Sequence, residues 1–314
     1  MNPIRDILVI VDPTARQHPA VDKGALLAEK LSARLELYAC ETKAARHARL
    51  ADHLRESPQA SFETSLTQML ESLAAPLRAR GLDVTTEAAS ADPLHTALLE
   101  RVKHTCAELV IKDTHHHVLA RRTFLTNTDW ELIRGCPVAL LLVQPAPWSA
   151  AFRICAAVDP GHDNDKPMLL DRCILDHAAA LARHLDGELH AIHVYLPAAM
   201  LTAAATAVSV PPIILHGSPE MLENERQSKS KELAALTSDY RVPPENLHLE
   251  IGGVKEVLER QARELKIDVM ALGAVSRSAL TRVLIGSTAE MVLEHLPCDL
   301  LVVKSPNFAE LLPL

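Results

Sequence analysis

The chain contains the same sequence pattern twice, and this repeat limits the folds it can adopt. The matching segments are ILVIVDP (7–13) and PVALLLV (137–143) in the first copy, and ICAAVDP (154–160) and PCDLLVV (297–303) in the second. A period of roughly 150 residues is too long for a solenoid unit and suits a complete domain with its own core. We therefore predict two domains, residues 1–147 and 148–314, which meet between Pro147 and Trp148.

In both copies, short apolar runs alternate with longer segments whose apolar residues have helical spacing. The first copy has five such runs, ILVIV, LELYAC, LDVTTEA, ELVIK and VALLLV, and the second repeats them as ICAAV, LHAIHV, LHLEI, DVMALG and DLLVV. Strands that are apolar on both faces and separated by helices indicate a parallel sheet covered on both sides. We predict two tandem doubly wound α/β domains of five strands each, with ligands beyond the carboxyl ends of the strands.

Composition excludes several classes of protein. With 48% hydrophobic and 23% charged residues, the chain has the composition of a globular protein. A formal net charge of -8 and the absence of a basic stripe argue against nucleic-acid binding. The six cysteines include no C-x-x-C pair, so no disulfide framework is expected. The opening MNPIRDILVIVDP is typical of a strand rather than a secretory signal, which leads us to expect a cytoplasmic protein.

A candidate phosphate site lies near the end of the second copy. Its pattern is Gly273-x2-Ser276-x9-Gly286-Ser287-Thr288, followed by the helical sequence AEMVLEHL. A glycine after a buried strand allows a ligand to approach the backbone, and a Gly-Ser-Thr run at a helix start offers amides and hydroxyls to an anion. The alternative is that Ser287 and Glu290 form a capping box, which requires no ligand.

These motifs resemble those of the universal stress protein family, whose nucleotide-binding members carry G-x2-G-x9-G-[S/T]. The likeness covers essentially the whole chain as two tandem copies, and it is greatest to the tandem E-type subgroup. The resemblance implies an adenine nucleotide alpha hydrolase-like fold. It also implies that the last strands of the two copies, 138–143 and 299–303, pair antiparallel as an intramolecular pseudo-dimer. Further homodimerisation is consistent with it.

The resemblance also implies ATP as the ligand of the second domain. Asp159 would meet the adenine, and Val194 would line the base pocket through its backbone. The ribose and phosphates would be held by Gly273, Ser276, Gly286, Ser287 and Thr288. Ser276 departs from the family pattern, because the motif has its second glycine there. A serine at that position crowds a phosphate if the turn needs a positive φ.

The first copy departs further from the same pattern. The replacements are Asp113 for Gly273, His116 for Ser276, Thr126 for Gly286 and Asn127 for Ser287. Asp129 adds a carboxylate to the first helical turn, where it competes with a phosphate for the positive end of the helix dipole. We predict no nucleotide in the first domain.

Three neighbouring histidines, His115 to His117, raise the question of a metal. Adjacent loop side chains diverge, whereas zinc ligands come from separated positions, and no cysteine or carboxylate cluster accompanies these histidines. We expect no metal there. With Arg121 and Arg122 they form instead a candidate pH-sensitive contact for an anion.

The predicted function is that of a non-catalytic stress-response regulator with nucleotide binding in the second domain and unidentified protein partners. No G-x-S-x-G elbow and no P-loop is present, so weak ATP hydrolysis or autophosphorylation is the most catalysis expected. One alternative is a ligand-free scaffold for protein interactions. Another is a sensor or carrier of a hydrophobic, lipid-like ligand under the apolar segment Tyr195 to Leu215. The prolines of that segment argue against membrane insertion, and it would otherwise cover the seam between the domains.

Overall fold

In the described part of the chain, ten strands form one continuous sheet flanked by seven helices. The computed structural model describes residues 4–42, 62–114, 127–161, 168–198, 218–274, 296–305 and 308. The strands are β1 (Asp6–Val11), β2 (Arg34–Glu41), β3 (Val84–Ser90), β4 (Leu109–Asp113), β5 (Ala139–Val143), β6 (Arg153–Ala157), β7 (Glu188–Tyr195), β8 (Leu247–Ile251), β9 (Val269–Gly273) and β10 (Asp299–Val303). The helices are α1 (Pro19–Leu31), α2 (Phe62–Ala79), α3 (Leu94–His104), α4 (Asn127–Gly135), α5 (Met168–His184), α6 (Pro219–Thr237) and α7 (Val254–Glu264). Two short 3-10 helices, Ser238–Tyr240 and Pro244–Asn246, precede β8.

The strand order confirms the two doubly wound domains. Across the sheet it is β3-β2-β1-β4-β5-β10-β9-β6-β7-β8, so five strands belong to each copy. Neighbours within a copy are parallel, whereas β5 and β10 pair antiparallel in the register Leu301 to Leu141. The predicted intramolecular pseudo-dimer is therefore confirmed, and each copy covers an edge strand of the other.

Both faces of the sheet are covered, as the apolar strands predict. The buried core on one face combines strand residues with α1, α2, α5 and α6. The core on the other face includes α3, α4 and α7. Helix α7 shows why such sequences become helices: it buries Val257, Leu258, Gln261 and Ala262 on one side, the spacing of an amphipathic helix. Each core crosses from one domain into the other.

The seam between the domains contains a buried ion pair. Lys23 in α1 places its Nζ 2.7 Å from Oδ2 of Asp299 at the start of β10, and both side chains are almost fully buried. Asp299 also accepts hydrogen bonds from the Gln144 amide at 2.8 Å and from Nε1 of Trp148 at 2.7 Å. Burial raises the pKa of Asp299, and the Lys23 ammonium opposes that rise. The boundary at Pro147 and Trp148 stays a prediction.

Residues that follow β5 and β10 also reach across the seam. Gln144 donates through Nε2 to the carbonyls of Leu296 at 2.9 Å and Cys298 at 2.8 Å. Lys304, in the equivalent position after β10, donates to the carbonyl of Ile133 near the end of α4. Burial lowers the pKa of Lys304 to about 8. Polar groups thus fix how the two domains meet, in addition to the shared apolar cores.

No helix in the described part of the chain is long and apolar enough to cross a membrane.

Candidate functional site

The carboxyl ends of β4 and β9 occupy equivalent positions in the two domains. Asp113 ends β4 and pairs with Val143 of β5, just as Gly273 ends β9 and pairs with Val303 of β10. The structure therefore supports comparing these two residues directly. Their surroundings differ in charge, burial and helix packing.

In the first domain, carboxylates occupy the starts of two helices. Asp113 accepts a hydrogen bond through Oδ1 from the Ala20 amide, at 2.7 Å, in the first turn of α1. Lys112 places its Nζ 2.7 Å from Oδ1 of Asp129, in the first turn of α4, and both side chains are buried. Helix starts attract anions, and here side chains of the protein supply them. That the first domain binds no nucleotide stays a prediction.

The same strand end in the second domain carries no charge. Leu272 stands in the place of Lys112 and Gly273 in the place of Asp113, and both are half-buried. Among the described residues, nothing in this position corresponds to the buried pair of Lys112 and Asp129. Leu272 and Gly273 are therefore more exposed than Lys112 and Asp113.

Close packing of α5 explains why position 273 is a glycine. A Cβ on Gly273 would lie 2.7 Å from Cδ2 of Leu170 and 3.0 Å from Cδ1 of Ile174, both in α5. Helix α5 has 17 residues and its counterpart α1 has 13, although the two end within one residue of equivalent positions. The additional turn at the start of α5 covers the site that the Asp113 side chain fills in the first domain. Gly273 therefore has a packing role that is independent of any ligand.

Asp159 follows β6 and is held by a second buried carboxylate. Its amide donates to Oδ1 of Asp171 in the first turn of α5, at 3.1 Å, and both residues are buried. His193 in β7 places its Nδ1 3.9 Å from Oδ1 of Asp159 and 3.1 Å from the carbonyl of Val158. The Asp159 side chain is only 7% exposed, so only a small part of its carboxylate can contact a nucleotide base. Its counterpart Asp12 instead accepts hydrogen bonds from Thr14 in its own loop.

The structure brings Asp159, Val194 and Gly273 to one edge of the sheet. Ala157 pairs with Ile192, and Ala156 pairs with Ala271, in parallel register. Continuing these registers by two residues places Asp159 level with Val194, and Val158 level with Gly273. Val194 is half-buried and pairs with Glu250 of β8. The three residues thus meet at the carboxyl edge of the second domain.

Several predicted residues lie outside the described part of the chain. These are Ser276, Gly286, Ser287, Thr288, His115, His116, His117, Arg121, Arg122 and Thr126. Only Tyr195 to Ala198 are described from the apolar segment, and Tyr195 is buried. Within the described ranges, no group of three or more histidine, cysteine or acidic side chains is arranged to hold a metal.

Sequence reasoning missed Asp171, His193 and Lys112. Each is a polar residue inside an apolar element, as in LLDRC for Asp171 and LHAIHV for His193. Such a residue is buried only when a partner satisfies it, so the pattern itself was a signal of a polar cluster. The partner could not be named from the pattern, because it comes from another element.

Comparison with known proteins agrees with this geometry. A model of the family described as "Universal stress protein family" matches residues 3–144 and 153–304. Universal stress protein E of Escherichia coli K12 is 22% identical over 308 residues, which cover 97% of this chain and 95% of that protein. A Haemophilus influenzae homologue of universal stress protein E is 27% identical over 209 residues, 66% of this chain and 65% of that protein.

Solved structures share the whole tandem arrangement. A protein ascribed to the universal stress protein family from Pseudomonas aeruginosa UCBPP-PA14 is 27% identical, with a TM-score of 0.72, covering 98% of this chain and 95% of that one. A universal stress protein of Archaeoglobus fulgidus, at 14% identity and a TM-score of 0.64, shares the fold. The chain belongs to the universal stress protein family, as a tandem member of the E type.

Proposed function

We propose that this universal stress protein binds ATP, or a related adenine nucleotide, in its second domain only and acts as a non-catalytic regulator of a stress response. The observation that carries the proposal is the difference between the two strand ends. The end of β9 is half-buried and uncharged at Leu272 and Gly273, whereas the end of β4 is closed by the buried groups Lys112, Asp113 and Asp129. No charged side chain stands at Leu272 or Gly273 to compete with a phosphate there, whereas Asp159 lies on the neighbouring strand end, where the base is expected.

The described residues fit an adenine nucleotide at this edge. Val194 lies level with Asp159 and Gly273 lies level with Val158, so a planar base and a ribose would follow the edge of the sheet. Asp159 would accept a hydrogen bond from the base. Asp171 would keep it oriented, since it accepts the Asp159 amide at 3.1 Å. Ser276, Gly286, Ser287 and Thr288 would hold the phosphates; they lie outside the described residues.

The two domains would then have different tasks. The first domain would act through its surface, as in the ligand-free scaffold alternative, because Asp113 already accepts the Ala20 amide at the start of α1 and Asp129 is paired with Lys112 in the first turn of α4. The second domain would respond to the nucleotide. Protein partners would bind differently to the nucleotide-bound and nucleotide-free second domain, while the first domain stays the same.

Thermal unfolding with ATP tests the proposal when it is combined with mass spectrometry of small molecules released from the denatured protein. ATP at about 100 times its dissociation constant should add roughly 2.7 kcal/mol to the stability of the full chain. Gly286→Asp should remove this gain, because it places a carboxylate at the predicted phosphate position. Thr126→Asp, the same change at the matching position of the first domain, should leave it intact.

Two results would overturn the proposal. One is the absence of both an ATP-dependent shift and a released nucleotide in the unaltered protein. The other is a reversed pattern, in which Thr126→Asp removes the shift and Gly286→Asp keeps it. Replacing Asp159 with Asn should weaken the binding of ATP, whereas Asp12→Asn in the first domain should leave ATP binding unchanged.

A further inference from the structure

A cavity of about 550 Å³ lies at the seam between the two domains, away from the strand-end site. Its walls come from Ile4 and Leu31 of the first domain, and from α5 and the 3-10 helix at Ser238–Tyr240 of the second. Small-molecule sites of proteins measure about 300 to 1,000 Å³ and occur preferentially at domain interfaces. The size and the place of this cavity therefore suit a small molecule.

One part of the wall is apolar. It consists of Ile4 and Leu31 from one domain, with Ala179 and Ala180 from the middle of α5 in the other. Ile4 is buried and the other three are half-buried. Because two of these four residues are small alanines, this part of the wall leaves room for a short aliphatic body.

The acidic side chains of the wall already have partners. Tyr240 donates through its hydroxyl to Oδ1 of Asp176 at 2.9 Å and to the carbonyl of Arg172 at 3.3 Å. Asp239 lies 3.9 Å from the guanidinium of Arg172. Burial, followed by the hydrogen bond to Asp176, raises the pKa of Tyr240, so this hydroxyl remains a donor. Asp176 is thus held by the Tyr240 hydroxyl, and Asp239 has a guanidinium beside it.

Two arginines of the wall have no such partner. Arg183 lies in the last turn of α5, and Arg241 follows the 3-10 helix; both are exposed. Among the described residues, neither guanidinium forms an ion pair or a hydrogen bond. A guanidinium offers a planar fork of donors that matches a carboxylate or a phosphate. The basic groups of the wall are thus the ones that remain available.

We propose that this seam cavity binds a small amphipathic anion, with a carboxylate or phosphate head against Arg183 and Arg241 and a short apolar body against Ile4, Leu31, Ala179 and Ala180. The site shares no residue with the nucleotide site proposed above and does not depend on it. A bound anion touches both domains, because the lining residues Ile4 and Leu31 belong to the first domain and the others to the second. Its binding therefore stabilises the contact between the domains.

The test uses the full chain and eight-carbon probes that differ only in the head group. Octanoate and octyl phosphate carry the two anionic heads, 1-octanol is neutral and octylamine is cationic. Isothermal titration should show one saturable site for at least one anionic probe, and binding at least about tenfold weaker for 1-octanol and octylamine. The preferred anionic head distinguishes a carboxylate ligand from a phosphate ligand.

Variants locate the binding in the seam cavity. Arg183→Gln combined with Arg241→Gln should weaken the anionic probe about tenfold or more, because both head-group contacts are lost. Ala180→Leu should weaken it by filling the apolar part. Arg226→Gln, which removes an exposed charge from α6, is the matched control and should leave binding unchanged.

Three results would overturn the proposal: no saturable binding of either anionic probe, equal binding of 1-octanol, or full binding in the double arginine variant whose unfolding curve matches the unaltered protein. Variants of the predicted nucleotide site show whether the two sites are independent. Octanoate binding should be the same with and without ATP-site variants such as Gly286→Asp, whatever becomes of the nucleotide proposal.

Discussion

The ends of β4 and β9 are equivalent in the fold and opposite in chemistry. Asp113 at the end of β4 binds the first turn of α1 through the Ala20 amide, whereas Gly273 at the end of β9 has Leu170 and Ile174 of α5 against its Cα. A longer helix and a glycine in one copy thus correspond to a shorter helix and a carboxylate in the other. A glycine that a binding motif would explain also has a packing explanation, and the two must be tested separately.

The seam shows the same loss of symmetry. Lys23 and Asp299 form a buried ion pair once, because the residues at the matching positions, His177 and Ala139, cannot repeat it. His177 instead contacts the Cys173 carbonyl within α5, at 2.8 Å. Two copies with one fold have therefore divided structural and binding tasks between them.

The largest effect is expected from breaking the buried seam pair. Lys23→Met leaves Asp299 buried with only neutral donors, which typically costs about 3 to 5 kcal/mol. Urea unfolding of the full chain measures it. The double variant Lys23→Met with Asp299→Leu should recover much of the loss, since no charge then remains buried.

Lys30→Met is the matched control for this prediction. Lys30, also in α1, forms an ion pair with Asp186 of the second domain, but the two side chains are 43% and 84% exposed. Its loss should change stability little, as is usual for exposed pairs. Equal losses for Lys23→Met and Lys30→Met would show that burial does not decide the strength of the seam.

Gly273→Ala sharpens the comparison of the strand ends. The added methyl group would lie 2.7 Å from Leu170, and overpacking of this kind costs about 1 to 3 kcal/mol. Denaturant unfolding of Gly273→Ala, Leu170→Ala and the double variant forms a mutant cycle. The two losses should not add, because the smaller side chain at 170 makes room for the methyl group. Strict additivity would contradict the packing role of Gly273.

Asp113→Ala tests the other strand end and should have a smaller effect. It removes the acceptor of the Ala20 amide, and the loss of such a helix-start contact costs about 1 kcal/mol. Asp113→Asn keeps an acceptor and should lose less. Amide hydrogen exchange of the first turn of α1 should rise in Asp113→Ala alone; unchanged exchange there would contradict the capping role.

Acidification should destabilise the second domain more than the first. This is the smallest of the four expected effects on stability. Burial lowers the pKa of His177, His190 and His248 in the second domain, but among the described residues of the first domain only that of His18. Nδ1 of His190 lies 3.1 Å from Nε2 of His248, so the pair shares one proton readily and a second one poorly.

The direction of the pH dependence follows from these lowered values. Below about pH 6.5 the unfolded histidines bind protons that the folded ones do not, so stability should fall as the pH falls. Glu188, 3.5 Å from His190, reduces this loss by favouring the charged form. The free energy of unfolding should depend less steeply on pH between about pH 7.5 and pH 5.5 in the double variant His190→Gln with His248→Gln than in His18→Gln. Denaturant unfolding at several pH values measures this slope. Stability that rises on acidification would contradict the prediction.

Much of the fold could be predicted from short-range pattern alone. The apolar runs around Ile7 and Ile154, and the helical segments between such runs, predict ten strands in two parallel sets. Strands buried on both faces are continuously apolar, and helices packed on them have apolar residues at helical spacing. The antiparallel pairing of β5 with β10 came from family resemblance. No period within Val138 to Val143 specifies a partner strand.

The candidate site was predictable in position but not in detail. Asp159, Val194 and Gly273 were expected at the carboxyl edge, and they lie there. The partners Asp171 and His193 were not expected, since they come from α5 and β7 and their meeting depends on the angle at which those elements pack. The cavity at Arg183 and Arg241 likewise has no sequence motif.

The sequence by itself determined that this protein has two copies of one α/β domain, because alternation of apolar and polar residues is a local property. Tertiary structure alone decided that Asp113 binds α1, that α5 packs on Gly273, and that Lys23 meets Asp299, 276 residues away. Those contacts depend on distances between elements rather than on spacing along the chain. They are what makes two copies of one fold chemically different.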